Sequence, residues 1–467
     1  MKMERREFLR LSAAFAAGRA FPAVAGMFSS GATNLRIGIV SDIHVDAPRR
    51  DFRIFGDTRT FVKALEHFRS RGVDGVIIAG DMADTGMRYQ LETVAEAWHS
   101  VFPGDKGADG RKVEKLFIYG NHDMEGCNNW GFARRHEHKA SFEREVIAND
   151  PAKAWEDYFG EPYSPVWTKS VKGYRFVGAH WVPGHKEGIA AIEPFFGEHA
   201  ADFAGDRPFF YIQHQHPKDT CHLGHAWGED DGTATRVLSR FPNAVAVSGH
   251  SHTPLTDESG IWQGAFTSVG AASLRFCAGD FKCPTGANGY ENIKGSLMPK
   301  YEGVWEARHG MVMSVFDDRI VFERRDFLRN AEPLGDDWVV PLPVASSQKP
   351  FAPANNLRAS AAPEFAEGAT LSVRDRGETI ACAFPAATGV DGVRTFDWEL
   401  TCEVDGVVRF TRHLVDYNCR NSIQRALRPV EVILAKSFFP VGASTLLVRP
   451  RGFNGRLGKA LKTEIRT

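Results

Sequence analysis

The sequence LRIGIVSDIH, residues 35–44, decides the predicted fold of this chain. It opens with a short apolar, β-branched run and changes at once to polar side chains, which is typical of a buried strand that ends in a loop. Two further runs repeat this pattern, VDGVIIAGD at residues 73–81 and KLFIYGNHD at residues 115–123. Amphipathic stretches separate the three runs. The sequence therefore predicts strand–helix–strand–helix–strand and a parallel sheet covered by helices.

Polar side chains follow each of these strands and two later ones. The strand-like run 209–213 leads into His214 and His216, and the run 244–248 leads into Gly249-His250-Ser251-His252. In parallel sheets, ligands gather at the carboxyl ends of the strands. We therefore expect these side chains to meet in one pocket.

The composition excludes some classes of function. The chain has 467 residues, of which 43% are hydrophobic and 25% charged, and a formal net charge of −1. No overall field draws it to nucleic acid or to an anionic membrane, and no long basic track suggests a nuclease. No apolar run reaches the roughly 18 residues of a membrane span. These values are typical of a soluble protein of more than one domain.

Four segments are predicted along the chain. Residues 1–25 are predicted to form a signal peptide, residues 35–330 the main α/β domain, and residues 331–367, which are rich in Pro, Ala, Ser and Asn, a linker. Residues 368–467 contain short apolar runs separated by turn residues and predict a small all-β sandwich. The stretch LVRPRGFNGRLGKA at residues 447–460 resembles the last strand pair of a fibronectin type III-like domain, which implies a role in binding a partner or glycan, or in capping the preceding domain.

The first 25 residues have the layout of a cleavable export signal. Arg5-Arg6 precedes a mildly apolar stretch, and Ala23-Val24-Ala25 is a small-x-small site. The pair resembles a bacterial twin-arginine signal, which implies a periplasmic or secreted protein that begins near Gly26. The alternative is an amphipathic helix at the start of the mature protein, and Arg19 is the main departure from the signal pattern.

The seven cysteines are far apart and form no CxxC pair, which excludes a zinc-ribbon pattern. In an oxidising compartment, Cys277 with Cys283 and Cys402 with Cys419 are candidate disulfides. Buried free thiols are an equally good interpretation.

The polar residues after the strands have the chemistry of metal ligands. Carboxylate, imidazole and amide oxygen suit borderline metals such as Mn, Fe and Zn. Glycine directly precedes Asp81, Asn121 and His250, and it permits a sharp turn or close approach of the backbone. Neither Asp42-x-His44 nor His250-x-His252 is specific alone. Five such motifs in this order are specific as a set.

As a set, the motifs resemble the calcineurin-like metallophosphoesterase superfamily, whose pattern is DxH, GD, GNH followed by an acidic residue, a lone His and GHxH. The resemblance covers roughly residues 35–325. It implies an α/β fold in which a β-sandwich is flanked by helices. It also implies a phosphoric ester hydrolase, a mono- or diesterase, with a dinuclear metal centre and a metal-bound hydroxide as nucleophile.

Carried over motif by motif, the resemblance assigns the ligands of two metal ions. The first metal would be held by Asp42, His44 and His252, and the second by Asn121, His250 and the lone His, with Asp81 as the bridge. A bridging carboxylate keeps two cations about 3.5–4 Å apart. For the lone His, the position directly at the strand end favours His214, which leaves His216 as an outer contact or a substrate contact.

The same resemblance assigns the acid–base residues. His122 would stabilise the phosphoryl group or protonate the leaving oxygen, and Asp123 would orient its imidazole. The alternatives are a nucleotidase or nuclease on the same site, or a cell-surface binding protein with a vestigial metal site. Weaker candidates are Asp84 as an outer carboxylate, His180 and Trp181 as cleft or packing residues, and His222 with His225 as a further metal site.

Overall fold

The structure is a computed structural model that describes residues 31–46, 56–127, 144–182, 191–224, 228–277, 307–346 and 348–467. The predicted signal at residues 1–25 therefore lies outside the described residues. So do Cys283, His225 and a charged run at residues 134–139.

The described residues form twenty strands and eight α-helices. The strands are β1 (Leu35–Val40), β2 (Gly75–Ala79), β3 (Glu114–Ile118), β4 (Val166–Val171), β5 (Tyr174–Ala179), β6 (Phe209–Ile212), β7 (Ala244–Ser248), β8 (Ile261–Gln263), β9 (Thr267–Gly270), β10 (His309–Val315), β11 (Arg319–Asp326), β12 (Glu332–Pro333), β13 (Trp338–Pro341), β14 (Ser372–Asp375), β15 (Thr379–Phe384), β16 (Asp397–Val404), β17 (Val407–Val415), β18 (Val430–Ala435), β19 (Ala443–Arg451) and β20 (Leu461–Arg466). The helices are α1 (Gly56–Ser70), α2 (Arg88–Val101), α3 (Asn121–Glu125), α4 (Pro151–Phe159), α5 (Ile192–Glu198), α6 (Cys221–Gly224), α7 (Thr233–Leu238) and α8 (Leu357–Ser360).

Two mixed sheets form the first part of the chain. The first has the order β12-β11-β10-β1-β2-β3, with β13 also paired to β11, and its strands β1, β2 and β3 are parallel. The second has the order β4-β5-β6-β7-β9-β8, and β5, β6, β7 and β9 are parallel. The predicted parallel unit of the first three strands is confirmed.

The two sheets face one another across a shared apolar core. Ile37 and Ile77 of the first sheet pack in one cluster with Phe210 and Val247 of the second. The opposite faces are covered by helices, because a second cluster joins the first sheet to α1, α2 and α4, and a third joins the second sheet to α5 and α7. With both faces buried, the strands are continuously apolar instead of alternating. The predicted β-sandwich flanked by helices is confirmed.

Helix α4 begins and ends where local sequence dictates. The carboxylate of Asp150 accepts the N–H of Lys153 at 3.0 Å, Pro151 occupies the first position of α4, and Gly160 ends it with φ 67°. An N-cap acid, a first-turn proline and a left-handed glycine are the expected signals. The face of α4 that carries Trp155 packs against Tyr119, which directly follows β3. Packing of α4 thus supports the end of β3, which leads into the loop that carries Asn121.

The C-terminal part is all-β. One antiparallel sheet has the order β14-β15-β18 and the other β17-β16-β19-β20, and they share an apolar core. This agrees with the predicted small all-β sandwich, whereas the resemblance to a fibronectin type III domain stays a prediction. Cys402 and Cys419, a candidate disulfide pair, are free thiols in different clusters, and the six described cysteines are all buried and free.

Residues 331–367, predicted as a linker, contain ordered elements of the first sheet. β12 and β13 both pair with β11, and α8 follows at Leu357–Ser360. Composition rich in Pro and Ala did not reveal these strands, since each is only two to four residues long. The domain boundaries themselves stay a prediction. Among the described residues, no helix combines the length and apolar character needed to cross a membrane.

Candidate metal centre

The loops after five strands meet at one edge of the sandwich. Three of these loops follow β1, β2 and β3 of the first sheet, and two follow β6 and β7 of the second. They bring together all seven residues that the sequence predicts as metal ligands: Asp42, His44, Asp81, Asn121, His214, His250 and His252. The convergence expected from the strand ends is therefore present in the structure.

One group of potential ligands comes from the ends of β1 and β7. His252 Nε2 lies 3.0 Å from Asp42 Oδ1 and 3.2 Å from His44 Nε2. The three ligand atoms lie within 4.8 Å of one another, and all three residues are buried. This is the set that the resemblance assigns to the first metal.

A second group lies beside the first and comes from both sheets. His214 Nε2 lies 3.1 Å from Asp81 Oδ2, 3.1 Å from His250 Nδ1 and 3.0 Å from Asn121 Oδ1. Apart from the bridging Asp81, these are the residues that the resemblance assigns to the second metal.

The Asp81 carboxylate lies between the two groups. Its Oδ2 is 3.5 Å from His44 Nε2 and 3.1 Å from His214 Nε2, so one oxygen faces both sets. Its Oδ1 accepts the backbone N–H of His122 at 2.8 Å, which fixes the orientation of the carboxylate. Asp81 therefore lies between the two groups, where the resemblance expects the bridging carboxylate.

Five of the seven candidate ligands have a left-handed backbone. Their φ angles are 53° for Asp42, 48° for His44, 54° for Asp81, 69° for His250 and 54° for His252. This conformation costs about 1–2 kcal/mol for a residue with a side chain. Such strain clusters at functional sites, where the surrounding structure holds it in place.

The imidazoles are oriented by hydrogen-bond acceptors outside the pocket. His214 Nδ1 lies 2.7 Å from Ala79 O, and His252 Nδ1 lies 3.1 Å from Phe276 O. A carbonyl oxygen can only accept, so each Nδ1 carries a proton, and in the neutral imidazole each Nε2 presents a lone pair to the pocket. His44 Nδ1, at 3.1 Å from Asp84 Oδ1, is held in the same way.

The inward-facing atoms are all acceptors, which fits a metal ion. In the neutral imidazoles, which are the forms that bind a metal, the lone pairs of His44 Nε2 and His252 Nε2 face one another at 3.2 Å and cannot hydrogen-bond. Among the described residues, the buried Asp42 Oδ1 likewise has no hydrogen-bond partner. Buried acceptors without donors are costly, and a cation between them removes that cost. Imidazole, carboxylate and amide oxygen suit Mn, Fe or Zn.

The electrostatics of the pocket also favour a bound cation. Burial by itself lowers the pKa of His44 and His214, but the carboxylates around them outweigh it and raise the pKa of His44 to about 10 and of His214 to about 9. Asp81 is also buried, yet the adjacent histidines hold its pKa far below the usual range. The pocket therefore favours positive charge, and metal binding would release protons from it.

His214 lies among the candidate ligands and His216 does not. The ring nitrogens of His216 lie 2.8 Å from Ser248 Oγ and 2.8 Å from Ser251 Oγ, and the side chain is buried. With both nitrogens bonded to hydroxyls, His216 is not in a position to contact substrate, contrary to the predicted substrate-binding role. It supports the loop that carries His250 and His252 instead.

Asp123 does not orient His122 as predicted. Its carboxylate accepts the backbone N–H groups of Ala83 at 2.7 Å and Gly120 at 2.7 Å, and of Met82 at 3.3 Å. The reason is that α3 begins at Asn121, so an acid two residues later folds back onto the helix N-terminus. Burial and the charge of Asp81 raise its pKa to about 7. Asp123 thus ties the loop of Asp81 to the loop of Asn121.

His122 lies at the mouth of the pocket. Its Nδ1 donates to Asp84 O at 2.7 Å, and its ring meets the ring of His44 edge-on, with centroids 4.4 Å apart. His122 also forms a third group of potential ligands with His44 and Asp81. The residue that orients His122 is therefore Asp84, through its backbone.

The weaker candidates divide into supporting and packing residues. Asp84 contacts His44 directly, and Trp181 lies against His214 and His250 with ring centroids 6.3 Å apart.

His180 packs among Tyr119, Trp155 and Tyr163 and accepts the N–H of Tyr119. His222 pairs with Asp257 at 2.8 Å and belongs to none of the three ligand groups found among the described residues.

The sequence did not indicate Phe276, whose carbonyl orients His252. A backbone acceptor leaves no residue-type signal, so only the structure could identify it.

Two glycines are required by close packing inside the site. A Cβ on Gly120 would lie 2.2 Å from Asp81 Oδ1, and a Cβ on Gly249 would lie 1.9 Å from Ser41 Oγ and 2.5 Å from Asp42 Oδ2. No side chain fits at these distances. The predicted close approach of backbone to ligand is therefore the reason for these two glycines.

Residues 35–254 match the family model described as calcineurin-like phosphoesterase. A search among curated protein sequences finds no match to the chain. Among solved structures, the chain is similar to a dimetal phosphatase from Danio rerio at 12% identity and a TM-score of 0.38, covering 67% of this chain and 100% of that chain. It is also similar to a purple acid phosphatase from yellow lupin (Lupinus luteus) seeds at 13% identity and a TM-score of 0.39, covering 65% of this chain and 53% of that chain. At such low identities and TM-scores, neither likeness decides what this chain does.

Replacing Gly249 by alanine tests the close packing. Because the added methyl group collides with Ser41 and Asp42, Gly249→Ala should weaken metal binding about 10–100-fold, the range seen when outer contacts of ligands are lost. The measurement is a titration of metal-free protein with Zn²⁺ or Mn²⁺. Gly197→Ala, where a Cβ meets nothing within 4 Å, is the matched control. Equal affinities in the two variants would contradict the proposed packing.

Proposed function

We propose that this protein, whose residues 35–254 match the family model described as calcineurin-like phosphoesterase, is a metal-dependent hydrolase of phosphate esters with a two-metal centre. The observation that carries the proposal is the buried carboxylate of Asp81, one oxygen of which faces a ligand set on each side. That arrangement suits two cations held close together.

Each ligand set would hold one ion. Asp42, His44 and His252 would hold the first, Asn121, His214 and His250 the second, and Asp81 both. When bound, such a pair of ions supplies an activated water as nucleophile and neutralises charge on the phosphoryl oxygens. The donor set suits Mn, Fe or Zn, and the metal content of the purified protein identifies which of these it uses.

His122 is the residue that we assign to the phosphoryl group. Its Nδ1 is engaged by Asp84 O, so Nε2 is the nitrogen that can donate to a phosphoryl oxygen or to the leaving oxygen. Its side chain is 14% exposed, whereas that of His44 is 5% exposed, so His122 is the more accessible of the two to an incoming ester. Asp84 would keep the ring in this orientation, and Asp123 would keep the two loops together.

The proposed substrate is a phosphate ester, either a monoester or a diester. Selection of the leaving group would fall to loops such as 125–170 and 275–305, which are described only in part. Export through a twin-arginine signal to the periplasm or the outside remains a proposal based on residues 1–25 alone.

An activity screen tests the function. Metal-free protein is supplied with Mn, Fe, Zn or Co and assayed on p-nitrophenyl phosphate and on bis-p-nitrophenyl phosphate. We expect at least one metal to restore hydrolysis, and the ratio of the two rates separates a monoesterase from a diesterase. If no metal restores hydrolysis of either ester, the alternative of a binding protein with a vestigial metal site replaces this proposal.

Asp81→Asn should abolish turnover while the fold is kept. The amide removes the negative charge that would hold two cations together, yet it has nearly the same shape. The measurements are the rate of ester hydrolysis and the circular dichroism spectrum. Asp109→Asn, at an exposed carboxylate far from the pocket, is the control for the same chemical change. Near-normal activity of Asp81→Asn would mean that Asp81 is not the bridge.

His122→Ala should lower the catalytic rate about 10²–10⁴-fold, the usual contribution of a positioned acid or base. Bound metal should stay at the wild-type level, as measured by elemental analysis of dialysed protein. His199→Ala, at an exposed histidine, is the control. Loss of metal from His122→Ala would instead identify His122 as a ligand, since it lies in a group with His44 and Asp81.

A further inference from the structure

A short segment of the C-terminal all-β part contacts two described segments beside the candidate metal centre. A 3-10 helix, Tyr417–Arg420, follows β17 and places Cys419 and Arg420 against the first part of the chain. Both residues are buried. Their contacts are specific hydrogen bonds to two segments that orient His252.

The first of these segments is 273–277, which supplies the acceptor for His252. His252 Nδ1 donates to Phe276 O, and the two rings lie 4.3 Å apart. This contact makes His252 Nε2 the nitrogen that faces Asp42 Oδ1. The position of the Phe276 carbonyl therefore sets the direction of the His252 lone pair.

Segment 273–277 is held from both ends. At its start, Leu274 N donates to Ser41 O at 3.0 Å, and Arg275 N donates to Asp42 O at 2.9 Å. At its far end, Arg420 Nε donates to the carbonyl of Cys277. A contact from the C-terminal part thus lies one residue from the carbonyl that orients His252.

The second segment is the loop that carries His252 itself. Thr256 Oγ1 donates to Cys419 O at 2.6 Å, and Thr256 is buried four residues after His252. Cys419 and Arg420, which are neighbours in one turn, therefore hold two segments. One is the loop that carries His252, and the other is the segment whose carbonyl accepts the hydrogen bond of His252.

The 3-10 helix is itself well anchored. Asp416 Oδ1 accepts the N–H of Asn418 at 3.0 Å and its side-chain amide at 2.9 Å. Cys419 packs in a small cluster with Phe396, Val415 and Phe453. Since the helix is fixed to the C-terminal sandwich, it can act as a rigid support for the loops it contacts.

We infer that the C-terminal domain is a structural part of the metal centre, with Arg420 and the Thr256–Cys419 contact acting as positioning groups for His252. The inference rests on the proposed two-metal function and assigns the C-terminal domain a role in it. Arg420 and Thr256 do not touch the ions or the substrate. They act on the affinity of one metal site, the one formed by Asp42, His44 and His252.

The test is a metal titration of the full-length chain. Metal-free wild type, Arg420→Gln and Thr256→Val are titrated with Co²⁺, followed by calorimetry and by the absorption of the bound ion. We expect two sites in the wild type. Loss of an outer contact of a ligand usually weakens binding about 10–100-fold, so each variant should weaken one site by about that factor and leave the other within about twofold.

Two controls make the result specific. Arg425→Gln removes an ion pair between the same two parts of the chain, with Glu332, but touches neither loop and should leave both sites unchanged. His252→Ala identifies the site concerned, because it should lose the same site that Arg420→Gln weakens. Adding Arg420→Gln to His252→Ala should then have no effect on the remaining site.

The outcomes separate this inference from the proposed function. If the wild type binds two ions and both Arg420→Gln and Thr256→Val bind them equally well, the inference is wrong and the two-metal centre stands. An equal loss in Arg425→Gln also overturns it, because the effect would then come from domain docking in general. If Arg420→Gln does not fold, Thr256→Val decides. If the wild type does not bind two ions, both this inference and the proposed two-metal function are wrong.

Discussion

The structure depends on a set of buried ligand atoms that face one another at one edge of the two sheets. The carboxylates of Asp42 and Asp81 and the inward lone pairs of His44, His214 and His252 lie at the edge of two sheets, away from water. Groups of this kind repel one another unless positive charge lies between them. Much else at this edge of the molecule serves to hold these acceptors in place. The left-handed backbone, the two close-packed glycines and the carboxylate of Asp123 all do so.

The two sheets contribute unequal parts of this arrangement. The first sheet supplies Asp42, His44, Asp81 and Asn121 from three adjacent parallel strands, so their spacing follows from strand spacing. The second sheet supplies three histidines after β6 and β7, and these reach across the sandwich edge. Because each ligand set takes side chains from both sheets, sandwich packing decides how the members of each set meet. The apolar core between the sheets therefore helps to fix the positions of the candidate ligands.

The outer contacts are mostly backbone groups, and they come from distant parts of the chain. Ala79 O orients His214, Phe276 O orients His252, and Asp84 contacts both His44 and His122. An imidazole has two nitrogens, and the acceptor on one decides which lone pair is available on the other. The C-terminal domain contributes to the site in the same indirect way. Its Arg420 and Cys419 hold segments beside His252, and neither residue is a candidate ligand.

The sequence by itself determined the three parallel strands β1, β2 and β3 and the polar residues at their ends, because apolar runs that end in polar residues depend only on local pattern and strand direction. The sandwich flanked by helices and the seven candidate ligands followed from the resemblance that the five motifs carry as a set. The tertiary structure decided what local pattern cannot encode. It placed His216 between two serines, turned Asp123 onto backbone N–H groups, and added β12 and β13 to the first sheet. It also decided which carbonyl orients each histidine, since hydrogen bonds to the backbone depend on packing between segments far apart in the chain and leave no mark in residue type.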